Sequence, residues 1–398
     1  MRPPRPAIGG PFRAGPSLHR RAALGLAAHL VARRIRQRGA ALRPPLSPDQ
    51  GSSPRSGQDR GRGDRLSRAV TSAATIALSV VLLAVCTAPP VPPPASLGVG
   101  LQASFILANP AGLLALDSTG HAIGRIIDLP AQSASATPVL HPSGKAIVFA
   151  LTQQPDKKTG FGSDLYTVNL DGTGFKPLVQ HESDNVFYAS PRFDSTGNIL
   201  YFHRRAAIIQ AGSFVGNEDS LERLDLRTGE RKRLIVNGAD PTISPTADRI
   251  VYVHLTQGQP DSIWTANIDG SNARPFFKTS DTWWYLQTPR FAAKGCEIVF
   301  SAAGHAIAAA PPSFPAGAAP GSAHLTIPSY LYLAPCDGTS VRELVQTLDD
   351  VVPAWSPDGT QIAYVGAGGF FVVTVATGSV KTLAQGQDFF FGDLVWLK

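Results

Sequence analysis

Residues 353–366, PAWSPDGTQIAYVG, read as a strand, a tight turn and a second strand. Ser356-Pro357-Asp358-Gly359 carries the turn chemistry, and Ile362-Ala363-Tyr364-Val365 is rich in β-formers. Worn copies recur upstream: TPVLHPSGKAIVFA at 137–150, SPRFDSTGNILYF at 190–202, DPTISPTADRIVYV at 240–253 and TPRFAAKGCEIVFS at 288–301. After each copy and a variable loop comes a second strand–turn–strand unit. These units are DLYTVNLDGTGFKPLV from 164, SLERLDLRTGERKRLI from 220, SIWTANIDGSNARPFF from 262, YLYLAPCDGTSVRELV from 330 and FFVVTVATGSVKTLA from 370. Together the two units make four antiparallel strands per repeat. A repeat of this period demands an array of sheets rather than one isolated sheet.

Composition agrees with a turn-rich β protein: hydrophobic residues make up 43%, charged residues 16%, with 38 Gly and 34 Pro among 398 residues. The net charge of +7 is unevenly spread. Residues 1–68 hold fifteen Arg, no Lys and three Asp, a local +12 that leaves −5 on the remainder. A mildly acidic folded region argues against nucleic acid as a partner.

Residues 1–68 read as a disordered Arg/Pro-rich tail; within them 17–38 has the pattern of a basic amphipathic helix. Residues 69–88, AVTSAATIALSVVLLAVCTA, carry no charge and are long enough to span a bilayer as one helix. Arg60, Arg62, Arg65 and Arg68 just before them orient such a span with everything after it on the extracytoplasmic side. The stretch also resembles a bacterial lipoprotein signal, with Cys86 as the lipidation site, although Val85 departs from the small residue expected before it. Either reading expects localisation at the cell membrane, single-pass or lipid-anchored. Residues 89–100 then serve as a Pro-rich linker.

The folded domain is expected over 101–398. Residues 104–108, 112–117 and 122–129 read as the last three strands of a repeat whose first strand is missing. Residues 391–397, FGDLVWL, read as an opening strand with nothing after it. Pairing this C-terminal strand with the N-terminal three closes a ring. The expectation is an all-β, six-bladed β-propeller of four-stranded antiparallel blades, preceded by a single transmembrane or signal-anchor helix; ring closure protects the sheet edges that a linear array would expose. The Pro-x-Trp/Phe strand, SPDG-type turn and I-x-Y/F-V strand resemble the TolB-like six-bladed propeller family over roughly 101–398. Only 353–366 matches cleanly; HPSG, DSTG, SPTA and AAKG replace the turn elsewhere. The resemblance implies an extracytoplasmic binding or scaffolding module, a monomeric propeller whose partner is a protein, a peptide or a cell-envelope glycan.

Fold alone does not assign activity. The chain has no G-x-S-x-G elbow, P-loop, dinucleotide fingerprint, H-E-x-x-H or EF-hand loop, so no catalytic residue, metal or cofactor is expected. Asp171, Asp225, Asp269, Asp337 and Asp358 recur with the turns and serve them. Blade topology gathers the long segments 151–163, 203–219, 277–287 and 302–329 on one face, the expected binding face. There Trp283, Trp284 and Tyr285 are adjacent, with Tyr188 in the matching position two blades earlier; they read as an aromatic platform or as rings plugging the gap between blades. His203 and His254 fall at matching positions, with His305 and His324 in the next long loop, and Arg204 and Arg205 beside His203 suit an anionic ligand. Clustered His on one face is similar, in position class only, to oligogalacturonate lyases, so the alternative function is a metal-assisted polysaccharide lyase or hydrolase. Finally, Cys296 and Cys336 begin and end neighbouring strands. Pairing them sets Ile298 opposite Ala334 and Phe300 opposite Tyr332 and places the two Cα atoms within disulfide range.

Overall fold

The computed structural model describes residues 95–110, 112–277, 283–305, 329–347, 349–390 and 392–398, without the side chains of residues 284, 304 and 305. The tail 1–68, the span 69–88 with Cys86, and His324 lie outside the described residues. Among the described residues no helix is long and apolar enough to cross a membrane. The fold is an all-β propeller.

A four-residue helix α1 (Val99–Gln102) precedes β1 (Phe105–Asn109), β2 (Gly112–Leu116) and β3 (Ala122–Arg125). Next come β4 (Ala134–Leu140), β5 (Ala146–Thr152), β6 (Gly162–Asn169) and β7 (Lys176–Val179). They are followed by β8 (Val186–Phe193), β9 (Ile199–Gln210), β10 (Ser213–Asp225) and β11 (Arg231–Val236). The third group is β12 (Gly238–Ile243), β13 (Arg249–Thr256), β14 (Gln259–Asn267) and β15 (Arg274–Pro275). β16 (Trp283–Phe291), β17 (Glu297–His305), β18 (Ser329–Pro335) and β19 (Arg342–Thr347) form the fourth. β20 (Ala354–Trp355), β21 (Gln361–Gly366), β22 (Gly369–Thr374), β23 (Val380–Gln385) and the closing β24 (Asp393–Trp396) complete the chain.

Four of the sheets are four-stranded: β24-β1-β2-β3, β12 to β15, β16 to β19, and β20 to β23. The strands β4 to β11 form one eight-stranded sheet, two antiparallel meanders joined by parallel pairing of Gly162 with Val186 and Ser163 with Phe187. The C-terminal strand pairs antiparallel with β1, Phe105 opposite Trp396 and Leu107 opposite Leu394. The apolar clusters lie between successive sheets, so inner strands such as β1, FILAN, are buried on both faces and read as continuous apolar runs.

The first strands share a bulge. In β4, β8, β12 and β16 the register shifts across Thr137-Pro138, Ser190-Pro191, Asp240-Pro241 and Thr288-Pro289. Proline has no N–H for the ladder, so the strand swells at that point. The preceding residue takes a positive φ each time: 48° at Thr137, 51° at Ser190, 45° at Asp240 and 53° at Thr288. Non-glycine residues there are strained unless neighbours hold them. They are held from blade to blade: the Thr137 N–H donates to Asp393 Oδ2 at 2.6 Å, and the Ser190 N–H donates to Thr137 Oγ1 at 3.0 Å.

Three expectations need correction. The fold begins before 101: Ala95 bridges Arg125, the Ser96 N–H donates to the Arg125 carbonyl, and the Gly98 N–H donates to the Asp171 carbonyl. The end of the expected linker 89–100 is therefore part of the domain, its backbone satisfied by β3 and the turn after β6. The segment 203–219 is a continuation of β9 and β10 rather than a loop, closed by Ala211 and Gly212 at φ 48° and 75°. Two residues of positive φ make the tight turn whose twist suits a hairpin, so the strands run on. Likewise, most of the described part of 277–287 belongs to β16.

Cys296 and Cys336 are joined by a disulfide, with Cα atoms 5.1 Å apart. The neighbouring register is the expected one, Ile298 opposite Ala334 and Phe300 opposite Tyr332, and the Cys336 N–H donates to the Cys296 carbonyl at 2.8 Å.

Candidate functional site

The bulge residues line a polar channel at the centre of the propeller. Ser190 Oγ donates to Asp240 Oδ1 at 2.5 Å, continuing the chain of contacts from Asp393 through Thr137. Two residues past the bulge, β8 and β16 each carry an arginine, Arg192 opposite Tyr201 and Arg290 opposite Val299. Each guanidinium donates through Nη1 to the carbonyl of its own preceding proline, at 2.6 Å to Pro191 and 2.8 Å to Pro289. Burial pushes the pKa of both arginines down, and for Arg192 the neighbouring Arg290 adds to the effect. Burial opposes ionisation of Asp240, yet Arg290, the Ser190 hydroxyl, His203 and Arg192 together hold its pKa below the usual carboxylate value. Burial wins at Asp393, whose pKa is raised despite the Thr137 N–H and both arginines. Tyr285 belongs to the same environment: burial first, then Asp350 and Asp240, push its phenol upward.

By antiparallel topology, the connections from second to third strands and from blade to blade open on one face. Among the described residues the β9–β10 hairpin is the longest feature of that face. β9 has 12 residues where its counterpart β5 has 7, so the hairpin projects roughly 15 Å further. Its stem is charged. Asp219 Oδ1 accepts from His203 Nε2 and from Arg205 Nε, both at 2.7 Å. Arg204 pairs with Glu182 at 2.7 Å, and Arg231 donates to Glu222 at 2.5 Å. Arg231 also lies over the Tyr188 ring, 4.9 Å from its centroid, and donates to the Tyr188 hydroxyl at 2.7 Å. The tip is apolar and open: Ile208, Ile209 and Val215 are 39%, 50% and 53% exposed.

The expected ligand residues fall differently from the sequence reading. Tyr188 is fully buried in β8, its hydroxyl donating to Glu182. His203 is buried, and Arg204 and Arg205 are half-buried; His203 and Arg205 pair with Asp219 on the stem and Arg204 with Glu182 before β8. Trp283 is buried against Phe277, Phe300 and Tyr332, so it plugs a core instead of forming a platform. Tyr285 is half-buried and donates to Gln287 Oε1 at 3.1 Å. The side chain of Trp284 lies outside the description.

The two histidines are not equivalent. His203 pairs with Ala189, just before the bulge residue Ser190; the residue so placed beside Asp240 is Val253, which pairs with Ala239. His254 is one position further along, and a one-residue slip turns a side chain to the other face of a sheet. It therefore stacks on Trp264 at 4.3 Å and bonds Asp261 at 2.9 Å, away from His203. Among the described residues no group of three His, Cys, Asp or Glu is placed to hold a metal ion. The sequence reading missed the channel, although its signal was present: a hydroxyl or carboxylate residue before the repeat proline in four of the five copies (Val352 precedes Pro353), and Pro-Arg-Phe in two of them.

No family model matches the chain. Among curated proteins it is similar to the Protein TolB homolog of Protochlamydia amoebophila (strain UWE25), 25% identical over 265 residues, covering 61% of this chain and 50% of that protein. The chain thus spans about half the length of the curated relative it matches. Among solved structures it is similar to TolB from Acinetobacter baumannii, with TM-score 0.52 and 15% identity, covering 74% of this chain and 65% of the other. It is also similar to an oligogalacturonate lyase from Vibrio parahaemolyticus, with TM-score 0.44 and 12% identity, covering 75% and 78%. The repeat, the closing strand, the curated relative and the solved TolB fold agree in making this chain similar to the TolB-like β-propellers.

Proposed function

We propose that this chain is a non-enzymatic scaffold, a six-bladed propeller that docks a protein partner on its long-loop face through the β9–β10 hairpin. The eight-stranded sheet counts as two blades in this reading, its parallel step being contact between neighbours. The observation that carries the function is the hairpin itself. A charged stem in which carboxylates face arginines fixes its direction, and Ile208, Ile209 and Val215 stand exposed at its end. Apolar side chains held out on a rigid arm gain by being covered, and a partner protein supplies the cover. Residues 95–98 join the fold beside Arg125 and Asp171, on the tight-turn face, so a partner at the hairpin approaches from the opposite face. In this reading residues 69–88 anchor the chain at a membrane and the domain works on the extracytoplasmic side, where the Cys296–Cys336 bridge forms.

A photocrosslinking amino acid at Ile209 tests this in cells making the full chain, with Thr339 on the tight-turn face as control. A discrete protein adduct at position 209, absent at 339 and lost when Val215 is changed to Asp, is the expected result. Equal labelling at both positions, or none at 209, refutes docking through the hairpin.

A further inference from the structure

The central channel holds two cations whose donors are largely unused. A guanidinium offers five N–H groups. Arg192 and Arg290 each spend one of them on the carbonyl of the preceding proline. Arg192 Nε is buried and has no hydrogen-bond partner. Among the described residues neither guanidinium forms an ion pair with a carboxylate. The two acids of the channel are engaged by the ring wall instead: Asp240 accepts from Ser190, and Asp393 accepts from the Thr137 N–H.

Equivalent register positions put both arginines on first strands, with β12 between them. The two like charges lie close enough for Arg290 to add to the lowering of the Arg192 pKa, and both keep donors to spare, an arrangement that suits an anion. The space is not sealed, because Arg192, Asp240 and Asp393 all remain half-buried rather than closed off from solvent. Asp240 and Asp393 also restrict what enters. A multiply charged anion would meet two carboxylates, whereas a planar monoanion matches the fork of a guanidinium and meets less repulsion.

We propose that the channel binds a carboxylate between Arg192 and Arg290, either a small free acid or the C-terminal end of a peptide. The site is independent of the hairpin: a partner on the hairpin does not require the channel to be filled, nor the reverse.

The test is thermal unfolding of the full chain titrated with acetate, triglycine or triglycinamide, against chloride of equal ionic strength. Acetate and triglycine should raise Tm saturably and triglycinamide should not. Arg290→Gln should weaken the apparent affinity at least tenfold. Asp240→Asn, which keeps an acceptor for Ser190 and removes a competing negative charge, should strengthen it by a similar factor. Tighter binding of triglycine than of acetate supports a peptide terminus, and equal binding supports a free acid. Absence of a saturable shift with either acid overturns the proposal, as does an affinity unchanged in Asp240→Asn. That second variant carries the test if Arg290→Gln does not fold.

Discussion

Deleting residues 391–398 removes β24 and reopens the ring, and its cost follows from what the strand touches. Leu394 and Val395 are only 6% and 8% exposed and belong to different apolar clusters, one on each side of the composite sheet. Burying such side chains stabilises by roughly 1.5–3 kcal/mol each, so about 3–6 kcal/mol is lost together. Trp396 packs on Phe105 with ring centroids 4.7 Å apart, a contact of about 1 kcal/mol beyond its buried area. Loss of Asp393 strips the Thr137 N–H of its acceptor at a strained bulge, a further cost of about 1–3 kcal/mol. The total of about 5–10 kcal/mol is of the same order as the whole stability of an ordinary domain. The truncated chain should therefore fail to fold cooperatively or aggregate through the exposed edge of β1. Leu394→Ala, losing about 2–5 kcal/mol, should lower the urea midpoint of a single transition seen by both tryptophan fluorescence and far-ultraviolet circular dichroism. If the truncated protein keeps the wild-type midpoint, or Leu394→Ala shifts it negligibly, closure by β24 does not hold the ring together.

At Ala247, φ is 53° where the equivalent turns place Gly144, Gly197 and Gly359 at 70–78°; Ala247→Gly should raise stability by up to about 1 kcal/mol, measured as a higher urea midpoint with unchanged slope. Asp358 and Asp248 are held down to a pKa of about 2, the first by Ser356 and Thr360 and the second by Ser244 and Thr246. A carboxylate lowered in the folded state contributes stability that is fully present above its unfolded value near 4 and lost as pH falls through about 2. The urea midpoint should therefore fall over that window, and less steeply in the double Asp-to-Asn variant. The Cys296–Cys336 bridge closes a separation of 40 residues, so replacing both by Ser should cost up to about 4 kcal/mol; an unchanged midpoint in non-reducing buffer would mean the bridge contributes nothing.

The fold was legible because its determinants are local and repeated. A strand, a four-residue turn and a second strand need only β-formers, proline and Asp/Gly at fixed spacing, and five copies average out the wear in any one. The incomplete first repeat and the orphan strand at the other end then leave one arrangement that satisfies both edges, which is the pairing of β24 with β1. The disulfide was legible for the same reason, since antiparallel register follows from strand ends once the blade is known. The hairpin was not. Residues 203–219 mix arginine, glycine and acidic side chains in a way that reads as loop, and their strand character rests on cross-strand pairs such as Arg205 with Asp219, far apart in sequence.

The site was legible only where side-chain direction did not matter. Matching His203 to His254 by the shared Tyr-x-His pattern is an error of one residue, and in a sheet one residue is the difference between two faces. The reliable frame is the proline, because a proline inside a first strand compels the bulge and so fixes which neighbour turns inward. Counted from it, Ser190 and Asp240 are equivalent and do meet, Oγ to Oδ1, across adjacent blades. Counted the same way, Arg192 and Arg290 are equivalent and share the channel. Charged residues on loops drew attention because exposed charge is where ligands are ordinarily sought, yet Arg204 and Arg205 are paired with Glu182 and Asp219. Arg192 and Arg290, which pair with no carboxylate among the described residues and have donors to spare, are the ones the strand pattern hides, each directly after a proline.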